Sequence, residues 1–226
     1  DELTVPDAFS TIQAALNAAG TGDVVLVAPG TYYEALDMPP TALRLVGEGG
    51  PLSTLVDASG TNESALELTQ GKGTSVNVEG IWFKGGTNEE QHRGGSIACD
   101  DSGPLFLTDV IATDGYALQY GGGIGIYDCD AELTRVVVAD NQGSWGGGIG
   151  IRDAGTVTME NVLVIGNQDR DGSGGGQGAG IFVRGGSVTI TQATVVGNDS
   201  KDSGGLHYVA GTLVVRNSVL SFNSSS

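Results

Sequence analysis

Four sets of side chains have the type and spacing to do chemistry. Arg152 and Arg184 each close a related triplet, Ile149-Gly150-Ile151 and Ile181-Phe182-Val183, with Asp100 and Tyr127 at the matching places upstream. This row is the chain's nearest approach to a lyase-like constellation. Carboxylates gather twice, as Asp100, Asp101, Asp128 and Asp130, and as Asp169, Asp171, Asp199 and Asp202. A carboxylate pair can supply acid and base across a sugar, and hard oxygen ligands suit calcium. Asp169-Arg170-Asp171-Gly172 has the D-x-D-G start of a calcium loop without its closing bidentate Glu. Charged turns are otherwise simply solvated. A third set, Arg93, Tyr120 and Trp145 with Tyr127 and the outward Phe182, could stack on sugar rings or on a neighbouring protein. It could equally be an aromatic lid over loop backbone. His92 and His207 lack a Ser or Cys nucleophile pattern, and His207 is expected on an outward, exposed face.

The elements that position these residues repeat. Gly94-Gly95-Ser96-Ile97, Gly121-Gly122-Gly123-Ile124, Gly146-Gly147-Gly148-Ile149, Gly178-Ala179-Gly180-Ile181 and Ser203-Gly204-Gly205-Leu206 align, their apolar anchors 27, 25, 32 and 25 residues apart. Asn141, Asn167, Asn198 and Asn223 recur at the same period, each closing a β-rich run. Strand alternation puts Ile124/Ile126, Ile149/Ile151, Ile181/Val183 and Leu206/Tyr208 inward, and Gly125, Gly150, Phe182 and His207 outward. Three short strands and no helix per unit cannot bury an apolar face alone, but coaxial stacking can, as a parallel β-helix. An antiparallel sandwich would not need repeats in phase. Ser75–Phe83, Ala42–Val46 and Leu66–Leu68 extend the pattern backward, the last two as first strands, for about eight turns and a length of about 40 Å. The four Asn predict a structural amide ladder. Ser10-Thr11-Ile12-Gln13 reads as a capping box opening an amphipathic helix over about residues 11–19 that covers the first turn. The last strand runs into Asn223-Ser224-Ser225-Ser226 with no such cover, so the chain continues or another molecule caps it.

Composition agrees. The 226 residues include 39 glycines, and hydrophobic content of 39% suffices for a core. Net charge is −17, which disfavours nucleic acid and anionic membrane and suits cations. No apolar run approaches a membrane span. The start at Asp1-Glu2-Leu3 reads as a mature or trimmed product. The acidic, Ser/Thr/Gly-rich composition suggests secretion or the cell surface. Cys99 and Cys129 fit either a disulfide stapling adjacent turns or two free thiols. Asn62, Asn198 and Asn223 head N-x-[ST] sequons, two of them at ladder positions.

The segment Phe9–Ala15 through Gly22–Val27 and Pro29–Tyr32 resembles the N-terminal cap and first turn of pectin-lyase-like right-handed β-helices. The GGxI and xxxN repeats are similar to those of polymorphic outer-membrane proteins and adhesins, although only Phe222 stands near that motif's Phe. The resemblance implies one domain over 1–226: a strand and capping helix in 1–22, then right-handed coils in 23–226. Its fold hosts lyases, hydrolases, esterases, adhesins and filaments. Gly30-Thr31-Tyr32-Tyr33-Glu34 fits the G-x-Y-x-E motif of pectin methylesterases, but that family's QD and DFIFG-type aspartate motifs are missing. Polygalacturonase motifs beyond the Asp100-Asp101 pair are missing too. Pectate lyases combine calcium with an Arg base, a role for which Arg152 and Arg184 are the candidates. With no complete motif set, the reading leans away from catalysis. It favours an extracellular structural or adhesive rod, self-associating head to tail, with no required cofactor and calcium as a candidate ligand. The alternatives are a polysaccharide lyase or hydrolase, or a non-catalytic glycan-binding β-helix.

Overall fold

The computed structural model describes residues 1–69, 74–89, 94–169 and 176–225; Arg93, His92 and Asp171 lie outside the described residues. The chain winds as a parallel β-solenoid of about eight turns with one short helix near its N-terminus. Every strand pairing is parallel, and the GGxI anchors fall in register, Ile97 on Ile124 on Ile149 on Ile181 on Leu206.

Apolar residues of each strand alternate inward and form one continuous core. In Ile124–Tyr127 both isoleucines are buried, as are those of Ile149–Arg152. Each β-rich run holds two strands, the second and third of its coil. Ala131–Thr134 and Val137–Ala139 are separated by Arg135, which adopts φ 54°. Asn161, Gln192 and Asn217 hold the matching corners at φ 55°, 55° and 50°. One left-handed residue is enough to turn the chain between sheets, and Asn tolerates that conformation better than most residues.

The central coils also hold a fourth strand that the three-strand reading lacked. Thr87–Asn88, Tyr116–Tyr120 and Gln142–Trp145 form their own small sheet beyond the Asn corner. Ala42–Val46 is likewise reassigned. Leu43–Gly47 pairs with Val76–Glu79 in the second sheet of each coil, whereas Leu36–Asp37 is the true neighbour of Leu66–Leu68 in the first. The N-terminal coils lack GGxI marks, so hydrophobic alternation alone could not separate the two sheets.

The helix spans Ile12–Ala18 and buries Ile12, Ala15 and Leu16. Its N-cap is Thr11, whose hydroxyl accepts from Ala14 N at 3.1 Å, so the Ser10–Gln13 box does not form. Glu34 takes its place, accepting from Ile12 N at 2.9 Å and Gln13 N at 3.0 Å. A carboxylate on these otherwise unpaired donors also complements the helix dipole. The G-x-Y-x-E segment thus has a structural use here. Gln13 instead exchanges two hydrogen bonds with the backbone of Asp37. At the other end Val215, Val219, Leu220 and Phe222 are exposed.

Candidate functional site

The outer face of the first sheet carries the residues singled out by sequence. One outward row runs Glu67, Ala98, Gly125, Gly150, Phe182, His207, and the next Asp100, Tyr127, Arg152, Arg184. Gly125 and Gly150 do not form an open floor. A Cβ on Gly125 would stand 2.4 Å from Gly94 N, and one on Gly150 would stand 2.4 Å from Gly121 N. The glycine-rich turn of each coil lies against the first strand of the coil that follows, and glycine is required because main chain lies on main chain.

The aromatic column closes over that turn. Tyr120 lies 4.8 Å from Trp145 and 5.8 Å from Phe182 between ring centroids, and Phe182 stacks on His207 at 5.6 Å. Tyr120 is 5% and Phe182 2% exposed, so neither offers a face to a sugar. Trp145 and Tyr127 remain half-exposed. His207 is half-buried rather than exposed, and its Nδ1 bonds Ser203 Oγ at 2.9 Å. Ser203 Oγ in turn accepts from Gly178 N at 3.2 Å. Arg152 sits between Tyr120 and Tyr127, 5.2 Å from each ring centroid, with Nε 3.2 Å from Asp153. Burial pulls against its charge, but the tyrosines and Asp153 outweigh this and hold the guanidinium above its ordinary range. Arg184 is exposed on the next strand.

The two carboxylate groups mostly serve the backbone. Asp101 and Asp128 are corner residues at φ 46° and 45°. Asp130 accepts from Thr156 N. Asp169 Oδ2 accepts from Lys201 N at 2.9 Å and Ser200 Oγ at 3.2 Å, and Asp199 Oδ1 from Ser224 Oγ at 2.7 Å. Asp100 is 2% exposed and Asp202 is exposed. Among the described residues no group of three or more His, Cys, Asp or Glu converges as a metal site.

Asn141, Asn167, Asn198 and Asn223 stack coil on coil. Asn141 N and Nδ2 both donate to Asn167 Oδ1, each at 3.0 Å, and Asn167 and Asn198 repeat the arrangement on the next Asn. Each Nδ2 also donates to a carbonyl of the preceding coil, as Asn167 does to Val138 O. Asn198 is fully buried, Asn223 is half-buried with Nδ2 donating to Val195 O, and Asn62 is exposed. Cys99 and Cys129 are bonded, their Cα atoms 6.2 Å apart.

Sequence reasoning missed a cleft of about 630 Å³ on the same sheet, three to four coils nearer the helix than Arg152. Asp37 and Glu67 stand in register on adjacent strands at its base, with Glu63 and Asn62 on its exposed rim. Asn88, 4% exposed, reaches it from the fourth sheet and donates to Ser64 Oγ at 3.3 Å. Asp37 is exposed at the cleft, and partial desolvation by its neighbours raises its carboxyl above its usual range. Among the described residues no Lys or Arg lines the cleft. Its signal in the sequence was the outward acid in Leu36-Asp37 and in Leu66-Glu67-Leu68.

No family model matches the chain, and no curated protein matches it. Among solved structures it is similar to a pectin methylesterase from Aspergillus niger in penultimately deglycosylated form, with 15% identity and a TM-score of 0.59 over 96% of this chain and 84% of that chain. It is also similar to a mutant pectin methylesterase in complex with a hexasaccharide, with 15% identity and a TM-score of 0.55 over 90% of this chain and 63% of that one. At this identity the likeness shows the fold alone, a pectin-lyase-like right-handed parallel β-helix.

Proposed function

We propose that the protein is an extracellular glycan-binding β-helix whose ligand lies along the outer face of the first sheet. The observation that carries this reading is the cleft at Asp37, Glu67 and Asn88, large enough for a sugar unit and lined by carboxylates, amides and hydroxyls. A disulfide is compatible with an oxidising, extracellular setting. Among the described residues no helix is long and apolar enough to cross a membrane. The fold neighbours are polysaccharide-modifying enzymes by name, a weak support at 15% identity. None of those neighbours is named as an adhesin or filament.

Titration calorimetry with neutral oligosaccharides tests the reading. Glu63→Trp fills the rim without touching the core and should weaken binding tenfold or more. Unchanged affinity would move the ligand elsewhere.

The carboxylate pair favours a second reading, hydrolysis. Asp37 and Glu67 are in register one strand spacing apart, about 4.8 Å between backbones, and a retaining glycosidase works with two neighbouring carboxyl groups ~5–5.5 Å apart. Asp37, its pKa raised by partial desolvation, would be the acid and Glu67 the nucleophile. Asp37→Asn should then abolish release of reducing ends while leaving binding within about twofold. Release by the variant at the wild-type rate would end this reading.

A further inference from the structure

We propose that Arg152 and Arg184 together seat one oxyanion substituent, a carboxylate or a sulfate ester, of the glycan bound along the first sheet. This rests on the glycan-binding reading above and adds the class of ligand.

Three basic side chains elsewhere meet an acid on the neighbouring coil: Arg44 meets Glu79, Lys84 meets Asp57 and Arg135 meets Asp109, whereas the exposed Arg216 near the C-terminal end has no ion pair with a described residue. Arg152 and Arg184 differ from those three in having each other as neighbour. Arg152 and Arg184 are in register on adjacent strands, so the neighbour of one cation is another. Like charges so placed destabilise a sheet. In a chain with 10 basic residues against 27 acidic ones, a carboxylate partner would have been easy to supply.

The corner column changes at the same place. Asp101, Asp128 and Asp153 follow the outward row in three successive coils, and Asp153 compensates Arg152. At Arg184 the corner is Gly185 instead, and Arg184 has no ion pair with any described residue. The column of acids ends where the second guanidinium begins.

Arg152 is also pre-set. The rings of Tyr120 and Tyr127 hold its guanidinium at 5.2 Å on either side, and its side chain is 34% exposed. A guanidinium fixed by aromatic packing loses little freedom when it binds, and its planar fork matches a carboxylate or sulfate. Arg184 contributes the second fork from the open side. The net charge of −17 sets a limit on the ligand. A densely anionic polymer would be repelled from the acidic cleft, so the geometry suits a largely neutral glycan with sparse acidic groups.

The test is calorimetry with three probes on the disulfide-intact protein: xylotriose, xylotriose bearing one glucuronate, and xylotriose bearing one sulfate ester. Wild type should bind at least one charged probe tenfold or more tighter than the neutral one, and the two charged arms tell which oxyanion fits. Arg184→Gln, an exposed change, should erase that preference, while Arg184→Lys should keep only part of it. Equal affinity for all three probes, or a preference that survives Arg184→Gln, would overturn the arginine site and leave the glycan reading standing. Binding of none would overturn both.

Discussion

Removing the Asn167 amide gives the sharpest test of what holds the coils in register. Its Oδ1 accepts from both Asn141 N and Asn141 Nδ2, and its Nδ2 donates to Val138 O and Asn198 Oδ1. The residue is fully buried, so water cannot replace these partners. Asn167→Ala leaves the buried Asn141 N–H without its bond and removes the Nδ2 bonds to Val138 O, which keeps its place in the strand ladder, and to Asn198 Oδ1. At about 1–3 kcal/mol for the unsatisfied N–H and about 0.5–1.5 kcal/mol for each of the two other bonds, the loss should be about 2–6 kcal/mol. For a chain of this size each kcal/mol lowers Tm by about 2–4 °C, so a fall near 10 °C is expected. Urea unfolding followed by circular dichroism gives the free energy, with exposed Asn62→Ala as the control. Asn167→Asp should not rescue, because it keeps the acceptor but loses the donor to Val138 O and buries a charge. A loss under 1 kcal/mol for Asn167→Ala would show that the ladder is incidental to stability.

Three other outcomes are expected. Cys129→Ala opens a link across 30 residues and should cost about 3–4 kcal/mol on the loop-entropy estimate, read by urea unfolding with and without reductant. Glu34→Ala should cost about 1–2 kcal/mol by uncapping the helix, and faster amide exchange at Ile12 and Gln13 would locate the loss. The hydrogen bonds and charge of Arg135 hold the Asp109 carboxyl below its usual range. The pair's stabilisation is therefore present above the unfolded carboxyl pKa near ~3.9 and is lost as pH falls through the lower folded value. NMR titration of Arg135→Ala should find the Asp109 pKa moved up toward ~3.9, and an unmoved value would dismiss the pair.

Much of the coil was readable because its constraints are local and repeated. Ile97, Ile124, Ile149, Ile181 and Leu206 pair as their spacing predicts, since a slip of one residue would turn the whole row outward. Corner residues such as Arg135 and Gln192 were not readable, because neither residue type announces a left-handed φ. The same limit hid the covered state of Gly125 and Gly150. Glycine marks freedom of approach without saying whether a ligand or the chain itself comes close, and here Gly94 and Gly121 do. Asp37 was missed for another reason. Leu36–Asp37 is a strand of two residues, too short for periodicity to register, and its partner Leu66–Leu68 lacks the glycine signature. Asp130 and Asp169, read as calcium candidates, accept from backbone amides of neighbouring coils, contacts that no sequence pattern marks.

A solenoid divides its residues by direction, and this bears on where function can reside. Inward places such as Leu66, Ile97, Ile124 and Ile149 must stay apolar and of similar volume, because each packs on the coils above and below. Outward places on the same strands carry no such demand. Along the first sheet they change character from Asp37 and Glu67 near the helix to Arg152 and Arg184 farther on. From Glu67 to the strand of Arg152 is three strand spacings, about 14 Å. That distance exceeds the Debye length of about 8 Å at physiological salt, so the two ends act as separate electrostatic sites. A single glycan long enough to reach both would bind in one direction, its acidic group toward the arginines and its neutral units over the carboxylates. Reversing it would set an anion against Asp37 and Glu67 and leave both guanidiniums without a partner. Direction would then be fixed by charge at the two ends, with the aromatic column between them serving to hold Arg152 in place.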